Sequence, residues 1–525
     1  MKSKILLILG ILLCTIWSFN NYNVLEKDNT PFVFDIYDLY SMSTTFYGYL
    51  VTFQINDFFH YYNNWENDYP PLLIFQAIPF YLMMGVSEDT AAFSNTIHIF
   101  ILVFSVYFLG KKIHSSQLGI FSVILVSINP WVHSISRIYL TEFAILSIMS
   151  LTIVLFLYSE NFTNRLFTLL FGVSFGLGML TKFSFLLYFL PVIFILMAVN
   201  LKSILENVKS ITYAIIPFFV LVMTWYPLQI MILFQLVRHN AVFFDKVVMH
   251  GPTLSEKLLG AVMNYYRLIE FDIIFFSILI GLILIALFSR KKMYWVFLIS
   301  FIISFGSLLF FLPTIRFFLP LCLHMSIMAA YGLIAIKPLL KKKHIYFAFA
   351  ILLLAFLVIN RQPYERKTID AVFSSGLYSP LTFNLDNSIF LKLKDDTNVK
   401  NVYILTSSPT LSIIERKLSE VKDVDSIFCL FNSEFDTADS EYCIEQTGKI
   451  SECNYDAVIV SSPNLTKQRN RYLSAYPLQK SIFDNALHSW EKCRGNFYPD
   501  YTYYEGTEDI EISLWKRKLN EPNFS

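Results

Sequence analysis

Hydrophobic positions in this chain fall in long unbroken runs, and the polar residues are gathered between them. Runs of roughly 18 or more apolar residues are long enough to cross a bilayer as helices. Such runs predict helices near 4–19, 93–110, 117–134, 142–158, 165–181, 183–200, 211–235, 270–289, 293–312, 317–336 and 345–360. A polar segment, 20–69, follows the first of them. The stretch "PPLLIFQAIPFYLMMG", 70–85, is apolar but short and contains Pro79, so it predicts a juxtamembrane helix. After Asn360 the apolar runs shorten and charges become frequent. There "NVYILTSSPTLSIIERKLSEV" reads as strand, turn, helix, and "YDAVIVSSPNLTKQRNRYLSAY" repeats that order. "IEISLWKRK" reads as a closing strand. The expected architecture is a polytopic α-helical membrane domain, 1–360, followed by a soluble α/β domain, 361–525.

Composition supports the membrane reading. Of 525 residues, 55% are hydrophobic, 17% aromatic and only 15% charged, against about 25% charged in ordinary soluble chains. The mean hydropathy is +0.52. A net charge of +1 does not by itself decide for or against nucleic acid. The distribution of the charges is more informative, and no nucleic-acid partner is expected. The first apolar run follows Lys2 and Lys4 but is not followed by a small-residue cleavage site, so it reads as a retained helix.

Basic clusters set the orientation. With 70–85 lying in the interface, Lys2/Lys4, Lys111/Lys112, Arg165, Lys202/Lys209, Arg290–Lys292 and Lys341–Lys343 all fall on one side. That gives about eleven spans, a cytoplasmic N-terminus, and three outward segments: 20–69, 236–269 and the C-terminal domain. Of six cysteines, Cys14 and Cys322 lie in apolar runs, whereas Cys429, Cys443, Cys453 and Cys493 lie in the tail. Four in an outward domain suggest disulfides, with three pairings open. Zinc is the weaker alternative, since no C-x-x-C pair occurs.

This topology gathers several polar residues at the outer boundary. They are Asp35 and Asp38 in "FDIYDLY", Tyr69 before two prolines, Arg137, Thr141 and Glu142 in "SRIYLTE", Lys182 in "GLGMLTKFSF" and Arg316 in "TIRFFLP". A charge at the bilayer centre costs roughly 2.5–3.5 kcal/mol on insertion scales, so Lys182 is placed at the membrane–water boundary, where a cation can meet a lipid phosphate. Cations there can hold a phosphate and stabilise it as a leaving group. A carboxylate can take a proton from an acceptor hydroxyl. Plainer roles compete with these. A lone Lys or Arg at a helix end is most often a snorkelling anchor, the default for Arg267. Asp38 suits a cap or a solvated loop charge, Glu142 could pair with Arg137, and His133 suits a satisfied interface histidine.

These residues resemble the GT-C glycosyltransferases that use polyprenyl-phosphate sugars, in the branch of the dolichyl-phosphate-mannose protein mannosyltransferases and the aminoarabinose transferase of lipid A. Five features carry the likeness: the acid after the first span (Asp35), "YPPLL" (Tyr69–Leu73), "SRIYLTE" with Glu142, "GLGMLTK" ending in Lys182, and "RFFLP" from Arg316. It covers roughly residues 1–340. The resemblance implies inverting transfer of a monosaccharide from a polyprenyl-phosphate carrier to a protein, lipid or glycan acceptor at the outer face. It makes Asp35 the base, Glu142 its supporting acid, and Lys182, Arg316 and Tyr69 the phosphate-binding set. Arg137 and Asp38 fall on the acceptor side.

There are departures from the family pattern. Ile36 follows Asp35 where mannosyltransferases often carry a second acid, Tyr69 replaces a donor-binding lysine of the lipid A branch, and Phe183 follows Lys182 in place of glycine. No cofactor is expected. A divalent ion bridged by Asp35 and Glu142 is compatible with the family but not required. The rivals are a polysaccharide polymerase or ligase, a lipid-linked glycan transporter and a non-enzymatic scaffold. The sparse arginines of 236–269 count against the polymerase. The lack of an internal repeat counts against the transporter.

Overall fold

The computed structural model describes residues 2–26, 35–63, 69–229, 273–287, 291–311, 315–336, 396, 399–405, 423–426, 455–461, 492, 497–505 and 510–517. The chain divides into two compact units.

The first unit is helical. Its helices are α1 (Lys2–Leu25), α2 (Asp35–Val51, whose first three residues fall in the second unit), α3 (Ile55–Asn63), α4 (Leu72–Met84), α5 (Glu88–Phe93), α6 (Thr96–Ile113), α7 (Ser116–Ser127), α8 (Pro130–Ile135), α9 (Thr141–Tyr158), α10 (Arg165–Met179), α11 (Phe185–Val199), α12 (Leu201–Glu206), α13 (Thr212–Val222), α14 (Ile273–Ala286), α15 (Lys292–Phe311) and α16 (Cys322–Ile336). A 3-10 turn, Ile315–Leu321, leads into α16. Among the described residues, Leu7–Leu25, Glu88–Ile113, Thr141–Tyr158 and Arg316–Ile336 are long and apolar enough to cross a membrane. Seven shorter apolar helices stand beside them. The expected spans from 4–19 through 317–336 coincide with helices, although the far part of 211–235 lies outside the described residues, as does 345–360.

Helix α9 is the centre of this unit. Fourteen of its residues are buried, including Thr141 and Glu142 in its first turn. It packs on α6, α10, α11 and the 3-10 turn before α16. Small residues make the close approaches. A Cβ on Gly172 of α10 would run into the backbone of Ala214 in α13, and one on Gly178 would run into the Phe185 ring of α11. Phe175, Phe185, Phe189 and Phe218 fill the space between these three helices.

The polar segment 20–69 contains more order than its composition suggests. Helix α1 runs on to Leu25, and α2 and α3 occupy much of the remainder. Leu39, Ser43 and Phe46 of α2 are all buried, at the i, i+4, i+7 spacing of one helical face. That face meets α4: the Ser43 hydroxyl is 2.7 Å from Tyr81 Oη, and Phe46 packs on Phe75. Helix α4 has 13 residues, about 20 Å of rise, which is short of the roughly 30 Å of a hydrocarbon core.

The second unit holds a five-stranded mixed sheet of order β2-β1-β3-β5-β4, with β1 Asn401–Leu405, β2 Asp423–Ser426, β3 Ala457–Ser461, β4 Phe497–Glu505 and β5 Ile510–Arg517. Strand β1 pairs in parallel with β2 and β3, while β5 runs antiparallel to β3 and β4. Parallel neighbours need crossover connections, and the residues that make them lie outside the described set. The three strands expected from sequence are β1, β3 and β5. Strands β2 and β4 were not expected, and β4 contains Pro499 and Asp500. The strand accommodates them through a register shift between Pro499 and Tyr501. Asp456 anchors the start of the sheet by accepting from the backbone N–H of Lys400 and Asn401 at 2.9 and 3.0 Å. Cys429, Cys443, Cys453 and Cys493 lie outside the described residues.

Candidate active site

Three widely separated sequence segments bring their charges to one point in the helical unit. Glu142 stands in the first turn of α9, after extended Leu140. Lys182 lies in the break between α10 and α11. That break forms because α10 ends at Met179 and its backbone turns through Thr181 N–H to Gly178 O at 3.2 Å. Arg316 belongs to the 3-10 turn ahead of α16.

Lys182 Nζ donates to Glu142 Oε1 at 3.1 Å, and Arg316 Nε lies 3.9 Å from the same oxygen. The Glu142 side chain is fully buried, and those of Lys182 and Arg316 are 9% and 12% exposed. Buried charges of this kind are stable only when paired and hydrogen-bonded. Two cations share one carboxylate, so the three side chains together carry a formal excess of one positive charge. The other carboxylate oxygen, Oε2, accepts from the Thr141 hydroxyl at 3.3 Å. Tyr188 of α11, fully buried, interacts electrostatically with both Glu142 and Arg316.

Aromatic rings complete the surroundings. Lys182 Nζ sits 4.9 Å from the Phe317 ring centre and 5.4 Å from that of Tyr69, and Arg316 Cζ sits 5.0 Å from Phe317. Ring faces attract cations without neutralising them. Tyr69 is held close by the chain around it. Leu72 N–H donates to Leu180 O at 3.0 Å, tying the Tyr-Pro-Pro segment to the end of α10. The Tyr139 hydroxyl donates to Leu73 O at 2.7 Å, and Tyr226 donates to Met179 O at 2.8 Å.

Glu142, Lys182, Arg316 and Tyr69 are therefore one cluster. Arg137 makes a different connection: its Nε donates to Asn21 Oδ1 at 2.9 Å, and Asn21 in turn donates to Ser136 Oγ at 2.9 Å. Trp17 Nε1 also donates to Ser136 Oγ, at 3.1 Å. The buried guanidinium thus binds α1 to the segment that leads into α9. Asp38 is half-buried on α2 rather than in an irregular loop. Asp35 is the first residue of α2, and its side chain lies outside the described set. His133 is buried, its ring 4.9 Å from that of Trp17. Among the described residues no group of three or more His, Cys, Asp or Glu could hold a metal ion.

Sequence reading missed Thr141's bond to Glu142, Phe317 and Tyr188. Phe317 stood in plain view beside Arg316. Tyr188 carried a usable signal, a lone hydroxyl in an otherwise apolar helix.

Residues 68–227, which contain Tyr69, Glu142 and Lys182, match the family described as dolichyl-phosphate-mannose-protein mannosyltransferase. The fold matches ArnT from Cupriavidus metallidurans in the apo state with a TM-score of 0.53, at 13% identity, covering 98% of each chain. The same transferase bound to undecaprenyl phosphate matches with a TM-score of 0.51, at 12% identity over 97% of each chain. The protein has the fold of this transferase. No sequence among the curated proteins matches it. Its helices of membrane-crossing length and apolarity suit an integral membrane protein, and of its buried cation pair Lys182 lies in the stretch that matches the family and Arg316 in the turn before α16.

Proposed function

We propose that this protein is a GT-C-type glycosyltransferase that moves a monosaccharide from a polyprenyl-phosphate carrier to an acceptor hydroxyl at the outer face of the membrane, with inversion at the anomeric carbon. The observation that carries the reading is the pairing of Lys182 and Arg316 around one buried carboxylate, framed by Tyr69 and Phe317. Two fixed cations with low exposure suit a phosphodiester whose charge grows as the sugar leaves. In a water-poor site their attraction for the departing phosphate is stronger than in bulk water.

Asp35 serves as the base, taking the acceptor proton as its oxygen attacks the anomeric carbon on the side opposite the phosphate. The sugar–phosphate C–O bond breaks, and the electron pair leaves with the phosphate oxygen. Glu142 supports the reaction by keeping the two cations at one point. Tyr69 presents its ring to Lys182 at the position where the lipid A branch has a lysine. Arg137 shapes the acceptor side indirectly, through α1, and Asp38 lies one turn from Asp35 on α2. No cofactor is needed for this chemistry, since the lipid-linked sugar is itself the activated donor. The active face and the C-terminal domain lie outside the cytoplasm, and the N-terminus lies within it.

Transfer of radiolabel from a polyprenyl-phosphate sugar in isolated membranes tests this. Asp35→Asn is expected to lower transfer by about 10²–10⁴-fold, the usual weight of a general base, without loss of donor binding. Lys182→Ala is expected to weaken donor binding. Normal transfer by Asp35→Asn would move the base to Asp38 or Glu142.

A further inference from the structure

We infer that Tyr226 is a positioning residue for the lipid-phosphate site: its hydroxyl fixes where α10 stops, and so where Lys182 stands. The inference rests on the phosphate-binding role proposed above for Lys182.

A helix leaves its last carbonyls without partners of its own. If α10 ran on past Met179, the Met179 carbonyl would accept from the N–H of Phe183, and the Leu180 carbonyl from that of Ser184. Lys182 would then ride on a continuous helix. Outside donors take those two carbonyls instead. Tyr226 Oη donates to Met179 O at 2.8 Å, and Leu72 N–H donates to Leu180 O at 3.0 Å. Thr181 closes the turn from within, its N–H reaching Gly178 O at 3.2 Å and its hydroxyl Leu177 O at 2.9 Å. Lys182 leaves the helix at this turn and meets Glu142 at 3.1 Å.

Met179 and Leu180 are both buried, so water is a poor substitute for either donor. A buried carbonyl that loses its donor is costly. Without the Tyr226 hydroxyl, the ready remedy is a further turn of α10, which recruits the Phe183 N–H and carries Lys182 from its place. Tyr226 is well held to prevent this. It lies four residues beyond the end of α13, and α13 is locked against α10. A Cβ on Gly172 would run into the backbone of Ala214, and one on Gly176 would come within 2.9 Å of Leu221. The rings of Phe175 and Phe218 are 4.4 Å apart. The Tyr226 ring stands 5.0 Å from that of fully buried Trp225. Helix α13 thus measures off the length of α10 and places a hydroxyl at its last carbonyl.

Equilibrium binding of undecaprenyl phosphate to the full-length protein in lipid nanodiscs tests this, with uncharged polyprenol as reference. Tyr226→Phe keeps the ring and removes the hydroxyl. It is expected to bind undecaprenyl phosphate about tenfold more weakly, with polyprenol binding unchanged. A role exercised through Lys182 also requires non-additivity. Arg316 remains in Lys182→Ala, so residual binding can be titrated there, and adding Tyr226→Phe should change it by less than about twofold. Parent-like affinity in Tyr226→Phe, while Lys182→Ala loses affinity, overturns the inference and leaves the phosphate site standing. The same loss again on the Lys182→Ala background, or an equal loss of polyprenol, makes Tyr226 a general prop of the fold and overturns the inference too. If Lys182→Ala binds as the parent does, the phosphate site itself is wrong and the inference falls with it. Should Tyr226→Phe fail to fold, Tyr226→His, too short to reach the carbonyl, decides alone. Selective loss of the phosphate lipid then upholds the inference, and parent-like affinity overturns it.

Discussion

Lys182 is a single charge in an apolar stretch, and aromatic rings and a carboxylate account for it. Its ammonium is nearly buried, yet a carboxylate accepts from it and two aromatic faces surround it. Glu142 departs from the pairing that chain proximity suggests. The nearby Arg137 hydrogen-bonds Asn21 on α1, while Glu142 meets Lys182 and Arg316, 40 and 174 positions further along the chain. Tyr69 yields a prediction at this scale. Its ring faces the lysine, so Tyr69→Phe should keep undecaprenyl phosphate affinity within about twofold. Tyr69→Ala should cost about 0.5–2 kcal/mol, the range of a cation–ring contact. Titration of each variant with the lipid phosphate measures both, and a large loss in Tyr69→Phe would assign the work to the hydroxyl instead.

Helices bring the site together by where they stop. Helix α10 ends at Met179, α9 begins at Thr141, and the 3-10 turn precedes α16, so each charge sits in a break or first turn rather than mid-helix. The glycines of "GLGMLTK" serve that ending. Gly178 faces the Phe185 ring with no room for a side chain. Gly178→Val should therefore destabilise the helical unit by about 1–3 kcal/mol, as overpacking does, and weaken donor binding because Lys182 lies four residues on. Thermal unfolding in detergent measures the first effect. A variant as stable as the parent would show that α10 and α11 can separate freely. The apolar runs announced these helices, but α2 was concealed. Its serines, threonines and tyrosines are modest helix formers, and one face, Leu39 to Phe46, is buried, with Ser43 and Phe46 meeting α4. That spacing was visible in the sequence, but its polar composition read as loop.

For the whole molecule, the arrangement of basic flanks requires a definite sidedness. A reporter active only outside the cytoplasm, fused after Ser525, should be active. The same reporter fused after Lys292 should be silent. A reporter that fluoresces only in the cytoplasm should behave in the opposite way. Identical behaviour at both points would overturn the orientation and move the site to the other face. The sheet of the second unit follows the same division between local and distant information. Strands β1, β3 and β5 were legible from short β-rich runs, whereas their order, with β3 between β1 and β5, depends on pairings across 50 or more residues.

By itself the sequence determined that this is a membrane protein of many helices with a small strand-containing domain after them, and it singled out Tyr69, Glu142, Lys182 and Arg316. Apolar length and charge rarity are local properties, and a bilayer penalises every exception to them. Only the tertiary structure decided which charge meets which. Glu142, Lys182 and Arg316 lie on three separate helix ends, and chain distance carries no information about contacts made by packing. Burial then fixes the pairing, because a carboxylate with no solvent must share whatever cations the fold delivers.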